Sequence, residues 1–434
     1  MFTKLPNFLS RQNIRFATAG SVLIKFGSAF FAFINSILLA RYLGKENFGY
    51  YILAYTTILI VTTITSLGLP LLITRYVSKY KANNNFSAIK GLLFLTHKYV
   101  FYAIGVVYFL AIIAYFFWWQ KYPSIFVETL LYGFLVFPIL VFSLLRSALL
   151  RGYKYVIFAE FPDTLLRNAI FTIILLFSIL TDVALTPQMA MLFQLIAASV
   201  GFIFGLIVLY KKIIVPIKPF KPTYFKKEWI NQTLPFTVNT SIQVVKTKVL
   251  SYLLAAFGSI GSVAIFEVAM RGASLVSFTL DALNLAIAPY ISSAFEKNNM
   301  FQLQRIVKKS GRIVFLFSLP VALIFILGGK PIIQFLYGNE YGGSYIPLVI
   351  LCIGQLISSL IGSVGLVLNM TGNQHILSRS NVIAFVLNIL FSIPLILYFD
   401  STGVAFLYSF ILILQNIYLL YFVKRKLLIT TVIL

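Results

Sequence analysis

The chain has 434 residues, of which 60% are hydrophobic and only 11% charged. Soluble globular domains carry roughly 25% charged residues, and no water-soluble fold of this length could hide 43 phenylalanines alongside that composition. The chain therefore reads as an integral membrane protein, which excludes a soluble enzyme, a disordered chain and a disulfide scaffold. A net charge of +24 would ordinarily suggest nucleic acid, but the charges are placed for a membrane surface, and no nucleic-acid partner is expected. The single cysteine, Cys352, sits in an apolar run and can form no intrachain disulfide.

Residues 1–18 are polar and basic, and the apolar run after them is too long for a signal h-region and lacks an A-x-A site, so no cleavable leader is expected. A run of about 20 apolar residues crosses a bilayer as a helix. Twelve spans are predicted, at 19–40, 50–70, 91–117, 127–149, 161–180, 188–210, 236–256, 261–290, 311–336, 345–368, 379–398 and 402–423. Lysine and arginine set the orientation. With the N-terminus in the cytoplasm, and Arg312, Lys330 and Arg379 counted with the segments adjoining their spans, the inner segments hold 24 of these residues and the outer segments 4, namely Arg41, Lys45, Lys121 and Lys330. Both termini then lie in the cytoplasm, and most of the basic excess is an address label and a contact for anionic membrane lipids.

The longest internal linker, 211–235, is rich in Lys and Pro and falls at mid-chain. It divides an N-terminal lobe, 1–210, from a C-terminal lobe, 236–434, each with six spans. A constant offset of 214 places Gly44 on Gly258, Tyr76 on Tyr290, Ser78 on Ser292, Asn84 on Asn298 and Asn85 on Asn299. Six spans per half is an even number, so both halves insert the same way up, related by an axis along the membrane normal. The predicted fold is all-α: twelve transmembrane helices in two six-helix lobes with a cavity between them.

A charged side chain at mid-bilayer costs about 2.5–3.5 kcal/mol on insertion scales, so it faces a cavity, a partner or the interface. Lys25 shares a helical face with Ser21, Ser28, Ala32 and Asn35. That stripe suits a wet cavity or a tight helix contact, and the plainer alternative is that Lys25 snorkels to the headgroups. Lys246 and Lys248 lie deep in the seventh span on different faces; Lys246 is the one expected in the cavity, Lys248 at a lobe edge or against a neighbour. The eighth span carries Glu267, Arg271, Ser274 and Asp281 on one face, with Glu267 and Arg271 spaced for an ion pair. Either that pair is structural, or protonation of Glu267 or Asp281 frees Arg271 and couples transport to a proton. Glu160, Asp163 and Arg167 repeat the pattern in the fifth span, where a structural role is favoured. Lys98 and Arg146 lie near inner ends and can snorkel, and His97 alone is no metal site.

Seven bases against four acids make the spans net basic, which selects an anion, and phosphate suits Lys and Arg. The headgroup candidates are therefore Lys25, Lys246, Arg271, Lys98, Arg146 and Arg167, and the ion-coupling candidates Glu267, Asp281 and Asp163. The sequence holds no Walker A, G-x-S-x-G, H-E-x-x-H or CxxC motif, and no outer loop exceeds about 10 residues by this parsing. Neither enzymatic catalysis nor a cofactor is expected; a proton or sodium gradient is the expected energy source.

Several short segments then carry a resemblance. They are Leu39-Ala-Arg-Tyr-Leu-Gly44 followed by Phe48-Gly-Tyr-Tyr51, Leu67-Gly-Leu-Pro70 leading to Arg75-Tyr-Val, Tyr337-Gly-Asn-Glu-Tyr341, and Asn369-Met-Thr-Gly372. In this order, with twelve spans, the chain resembles the polysaccharide and oligosaccharide flippases, O-antigen type, of the multidrug/oligosaccharidyl-lipid/polysaccharide exporter superfamily. The resemblance implies a bacterial inner-membrane protein that moves a polyprenyl-diphosphate-linked oligosaccharide from the cytoplasmic to the periplasmic leaflet. It implies a V of two lobes that rock between inward- and outward-open states under an ion gradient. It also implies a surface-polysaccharide pathway, with a polysaccharide polymerase and a chain-length regulator as further partners. Basic cavity residues would receive the diphosphate, a theme carried here by Lys25, Lys246 and Arg271. Two alternatives stand beside it: a cation-coupled multidrug exporter of the same fold, which calls for an acid-dominated cavity, and a membrane-embedded polysaccharide polymerase, which calls for a long outer loop.

Overall fold

The computed structural model describes residues 11–117, 121–229 and 248–431. The first helices are α1 Arg11–Leu43, α2 Lys45–Thr65, α3 Leu69–Ala82, α4 Phe86–Phe117 and α5 Ser124–Gly152. They are followed by α6 Val156–Leu180, α7 Pro187–Ile217 and α8 Lys248–Phe257. The last are α9 Ile260–Glu296, α10 Met300–Tyr337, α11 Tyr345–Ile361, α12 Val364–Met370 and α13 Gln374–Leu427. Among the described residues, ten helices are long and apolar enough to cross a membrane. The protein is thus an all-helical, multi-pass membrane protein.

The differences from the predicted spans have local causes. The second span ends at Thr65 because Leu67 and Gly68 both adopt positive φ, and Pro70 then opens α3 in the first helical turn, where its missing N–H costs nothing. Helix α3 buries Leu69, Leu72, Ile73, Tyr76, Val77 and Tyr80 at helical spacing, while Arg75 and Lys79 are exposed on its other side. The tenth predicted span divides into α11 and α12 at Gly362, where φ is 83°. At 54 residues, α13 is far longer than the roughly 20 residues that one crossing needs. It is broken at Asp400, with φ 50° and ψ −134°, and so covers the spans predicted at 379–398 and 402–423. Of the predicted span 236–256, residues 236–247 lie outside the described residues.

The mid-chain segment begins later than its composition indicates, because α7 continues to Ile217. Beyond Ile217 the chain is pinned to α3 and α4. The Lys90 ammonium donates to the carbonyls of Lys218 (2.7 Å) and Phe220 (2.8 Å). The Thr223 amide donates to the Ser87 carbonyl at 3.1 Å. Trp229, only 1% exposed, donates from Nε1 to the Tyr80 hydroxyl at 2.9 Å and packs against the rings of Tyr80 and Phe225.

The 214-residue offset has a backbone counterpart. Asn84 and Asn298 both have φ 53°. The amides of Asn85 and Asn299 donate to Tyr80 and Ala294 carbonyls, each at 2.9 Å. The side chains of the same two asparagines cap the next helices, accepting from Ala88 N at 3.0 Å and Gln302 N at 2.9 Å. Further along, the matching positions lie four residues further apart. Lys154 (φ 68°) corresponds to Gly372 (φ 78°), and Asp182 (φ 52°) to Asp400 (φ 50°).

Packing divides the chain into two compact units, Met1–Asn35 with Thr57–Ser241, and Ser36–Thr56 with Ile242–Leu434. A simple cut in the linker would have put residues 36–56 with the first unit. Three contacts hold them in the second. The Tyr341 hydroxyl donates to the Ala40 carbonyl at 2.9 Å, its ring meets Phe48 edge-on at 6.4 Å, and Arg41 donates to the Phe335 carbonyl at 3.2 Å. The segments around Leu39–Gly44, Phe48–Tyr51 and Tyr337–Tyr341, far apart in sequence, therefore form one clasp.

Candidate substrate and ion-coupling sites

In the first unit, the polar stripe of α1 is spent largely on helix packing. Asn35 donates to the Asn168 carbonyl at 3.1 Å and accepts from the Thr172 hydroxyl at 2.7 Å. Asn168 in turn donates to the Ser28 hydroxyl at 3.1 Å. This is the tight helix contact that the spacing allowed. Lys25, on the same stripe, is exposed and forms no ion pair among the described residues. Asn168 and Thr172 carry no signal in the sequence, because neutral polar residues in a span have no charge to mark them.

Arg146 takes a different place from the one its sequence position suggested. It is 3% exposed and lies inside the first unit. Its guanidinium donates to the carbonyls of Gly201 and Phe202, both at 3.0 Å, and pairs with Asp163. A Cβ at position 205 would overlap the guanidinium, so Gly205 makes the room for it. Asp163 sits on a π-helical turn, Pro162–Leu166, inside α6, and Arg167 lies near the same carboxylate. Arg146 is thus a buried ion-pairing residue of helix packing in this structure rather than an open headgroup ligand. Lys98 is exposed on α4, with its ammonium 5.9 Å from the centre of the Tyr102 ring.

The second unit holds the more open arrangement. Arg271 Nη2 lies 3.0 Å from Glu267 Oε1, one helical turn apart on α9. The Glu267 side chain is 13% exposed, whereas that of Arg271 is 43% exposed. Lys248 on α8 bears on the same carboxylate, and Tyr337 at the end of α10 lies beside Arg271, Glu267 and Ser36. Two cations therefore share one acid, and one guanidinium keeps an open face. Asp281 is exposed and neighbours Tyr408, which bonds to Gln355. Lys248 thus lies within electrostatic reach of Glu267 but forms no ion pair among the described residues, and Tyr337 was visible in sequence only as a motif residue. Lys246 lies outside the described residues. Among the described residues, no group of three His, Cys, Asp or Glu side chains could hold a metal ion.

The comparisons with known proteins bear on family and fold. The polysaccharide biosynthesis protein family matches residues 18–295, and the MatE family matches 235–393. A membrane protein of Methanocaldococcus jannaschii is 25% identical over 94% of this chain and 83% of its own. Stage V sporulation protein B of Bacillus subtilis is 33% identical over 64 residues, 15% of this chain and 12% of that protein. In fold, the chain is similar to an inward-facing multidrug resistance MATE family transporter, with a TM-score of 0.77 at 14% identity over 92% of this chain and 94% of that one. It is also similar to the lipid II flippase MurJ in an inward closed conformation, with a TM-score of 0.66 at 16% identity over 94% of this chain and 88% of that one. With a family match over more than half its length, the chain belongs to the polysaccharide biosynthesis protein family.

Proposed function

We propose that this protein is a flippase for a polyprenyl-diphosphate-linked oligosaccharide, working by alternating access with twelve spans in two lobes. In this reading it resides in a bacterial inner membrane, both termini cytoplasmic, and serves surface polysaccharide synthesis. The observation that carries the reading is the Lys248–Glu267–Arg271 cluster. A carboxylate that meets two bases leaves net positive charge within the span region, and the open guanidinium offers paired donors to a phosphate. Intramembrane charge of this kind is a functional site by default. Glu267 then has two tasks, holding Arg271 in place and, on protonation, releasing it, with a proton or sodium gradient as the drive. An inside-negative potential favours outward movement of an anion by about 2.3 kcal/mol per charge per 100 mV.

The MatE match over 235–393 favours a second reading, a multidrug exporter of the same fold. One experiment separates them. Arg271→Gln removes a charge-assisted contact, typically about 1.5–3 kcal/mol, so export of a lipid-linked saccharide should fall by about tenfold or more at equal protein level. Efflux of ethidium from drug-sensitive cells should be absent in both wild type and variant. Full saccharide export by the variant, or ethidium efflux by the wild type, would overturn the flippase reading.

A further inference from the structure

The Lys- and Arg-rich end of the first unit contains a pair of cations without an acid. Helix α3 presents Lys81 in its last turn, and the turn joining α5 to α6 presents Lys154. The Lys81 ammonium donates to the Tyr153 carbonyl at 3.0 Å. It lies 4.5 Å from the centre of the Tyr153 ring and 5.5 Å from that of Tyr155. The two rings stack with centroids 6.5 Å apart. An ammonium has three N–H donors, so the one spent on the carbonyl leaves two. Lys154 is exposed and close enough for its charge to act on Lys81. Neither lysine forms an ion pair among the described residues, although Lys79 on the same helix pairs with Glu228 at 3.2 Å.

The backbone adds an independent observation. Lys154 adopts φ 68°, a conformation that costs a side chain with a Cβ and that glycine or asparagine adopts readily. The corresponding turn in the second half has the same hydrogen bonds. Tyr153 N and Tyr155 N donate to Leu149 and Leu150 carbonyls in one, and Thr371 N and Asn373 N donate to Val367 and Leu368 carbonyls in the other. There the left-handed position is Gly372. The position matching Lys81 is Phe295, which packs against an apolar core. One half of the repeat therefore has glycine and an apolar side chain where the other has two lysines, one of them on a strained backbone. Strain retained at a position with a cheaper alternative points to a use for the side chain.

We infer that Lys81 and Lys154, set against the rings of Tyr153 and Tyr155, form a docking site for a phosphate-bearing headgroup. The chemistry is a phosphate ester: two ammonium groups for the anion, and stacked aromatic faces that hold Lys81 in position. The ligand is a membrane lipid headgroup or a soluble phosphate compound, and the site shares no residue with the intramembrane cluster around Glu267. It does not rest on the flippase reading, since a transporter of either substrate class would keep it.

The test uses full-length protein in neutral detergent, titrated with dioleoyl phosphatidic acid, dioleoyl phosphatidylcholine and sodium pyrophosphate, with thermal melting recorded in parallel. Wild type should bind phosphatidic acid, and Lys81→Gln and Lys154→Gln should each weaken that binding by about tenfold, the scale of a lost charge-assisted contact. Lys154→Gly should weaken binding equally while raising the melting temperature, because it relieves the turn; a merely misfolded variant cannot do both. Lys226→Gln/Lys227→Gln, on exposed linker lysines, should bind as wild type does. Competition by pyrophosphate identifies the phosphate alone as the recognised group, and binding of phosphatidic acid without such competition identifies the lipid. Unchanged binding in Lys81→Gln and Lys154→Gly, an equal loss in the linker control, or equal affinity for phosphatidylcholine would each overturn the proposal.

Discussion

At the scale of single residues, the same side-chain type serves opposite purposes according to its neighbours. Arg146 is closed in by Asp163 and two carbonyls, whereas Arg271 keeps an open face beside Glu267. Removing one partner of a buried pair is costly because the other charge is left uncompensated. Lys81 shows how surroundings tune a cation outside the spans. Burial first, and the Lys154 charge second, hold its pKa below the ordinary lysine value of 10.5. Tyr153 is pushed the other way, up to about 12, by burial and then by Tyr155, so its hydroxyl stays protonated. For Lys81 the folded protein disfavours the charged form, and an anion in the site favours it. Affinity for phosphatidic acid should therefore decline as pH rises, beginning below 10.5. Lys81→Arg should hold its affinity over the same range, because a guanidinium does not deprotonate there. Titrations between pH 7 and 10.5 check this, and parallel curves for the two proteins would remove Lys81 from the site.

At the scale of elements, the mid-chain segment behaves as part of the first unit. A Cβ on Gly91 would collide with the Thr223 carbonyl, so the segment can lie flat on α4 only if position 91 carries no side chain. Gly91→Ala should lift residues 218–229 away and expose Trp229. The chain has three tryptophans, and replacing Trp118 and Trp119 by phenylalanine leaves Trp229 as the reporter. Its emission should shift to the red in Gly91→Ala and respond to iodide quenching, whereas an unshifted spectrum would mean that the segment tolerates the methyl group. Much at this scale was legible in sequence. The 214-residue offset singles out Asn84 and Asn298, residues whose preferences for turns are local, and both stand at helix ends; the break before Pro70 falls instead inside the span predicted at 50–70. The attachment of the linker was not legible, because Lys90 binds backbone carbonyls, which every residue possesses. Likewise, its place near an inner end of a span suggested that Arg146 could snorkel, but could not say that a facing helix would offer Gly201, Phe202 and the space at Gly205.

At the scale of the whole molecule, the sequence repeat and the packing units do not share a boundary. The duplication sets equal halves on either side of the mid-chain segment, and the recurring turns at Asn84 and Asn298 bear its mark. The packing nonetheless transfers residues 36–56 to the second unit. Composition could not reveal this, since those residues are as apolar as their neighbours and only tertiary contacts distinguish them. The transfer has a measurable consequence. A fragment of residues 236–434 lacks Ala40, the acceptor for the Tyr341 hydroxyl, and Phe48, which is 2% exposed in the intact chain. An unsatisfied buried hydroxyl costs about 1–3 kcal/mol, and a lost buried phenylalanine contact about 1.5–3 kcal/mol. Expressed alone, this fragment should aggregate on size-exclusion chromatography in detergent, and co-expression with residues 1–235 should return a monodisperse complex. Tyr341→Phe in the intact chain keeps the ring contact and removes the hydroxyl, so it should lower the melting temperature far less than separation of the fragments does. A monodisperse lone fragment would show that residues 236–434 fold without the clasp, and that the end of α1 and the start of α2 only rest against them.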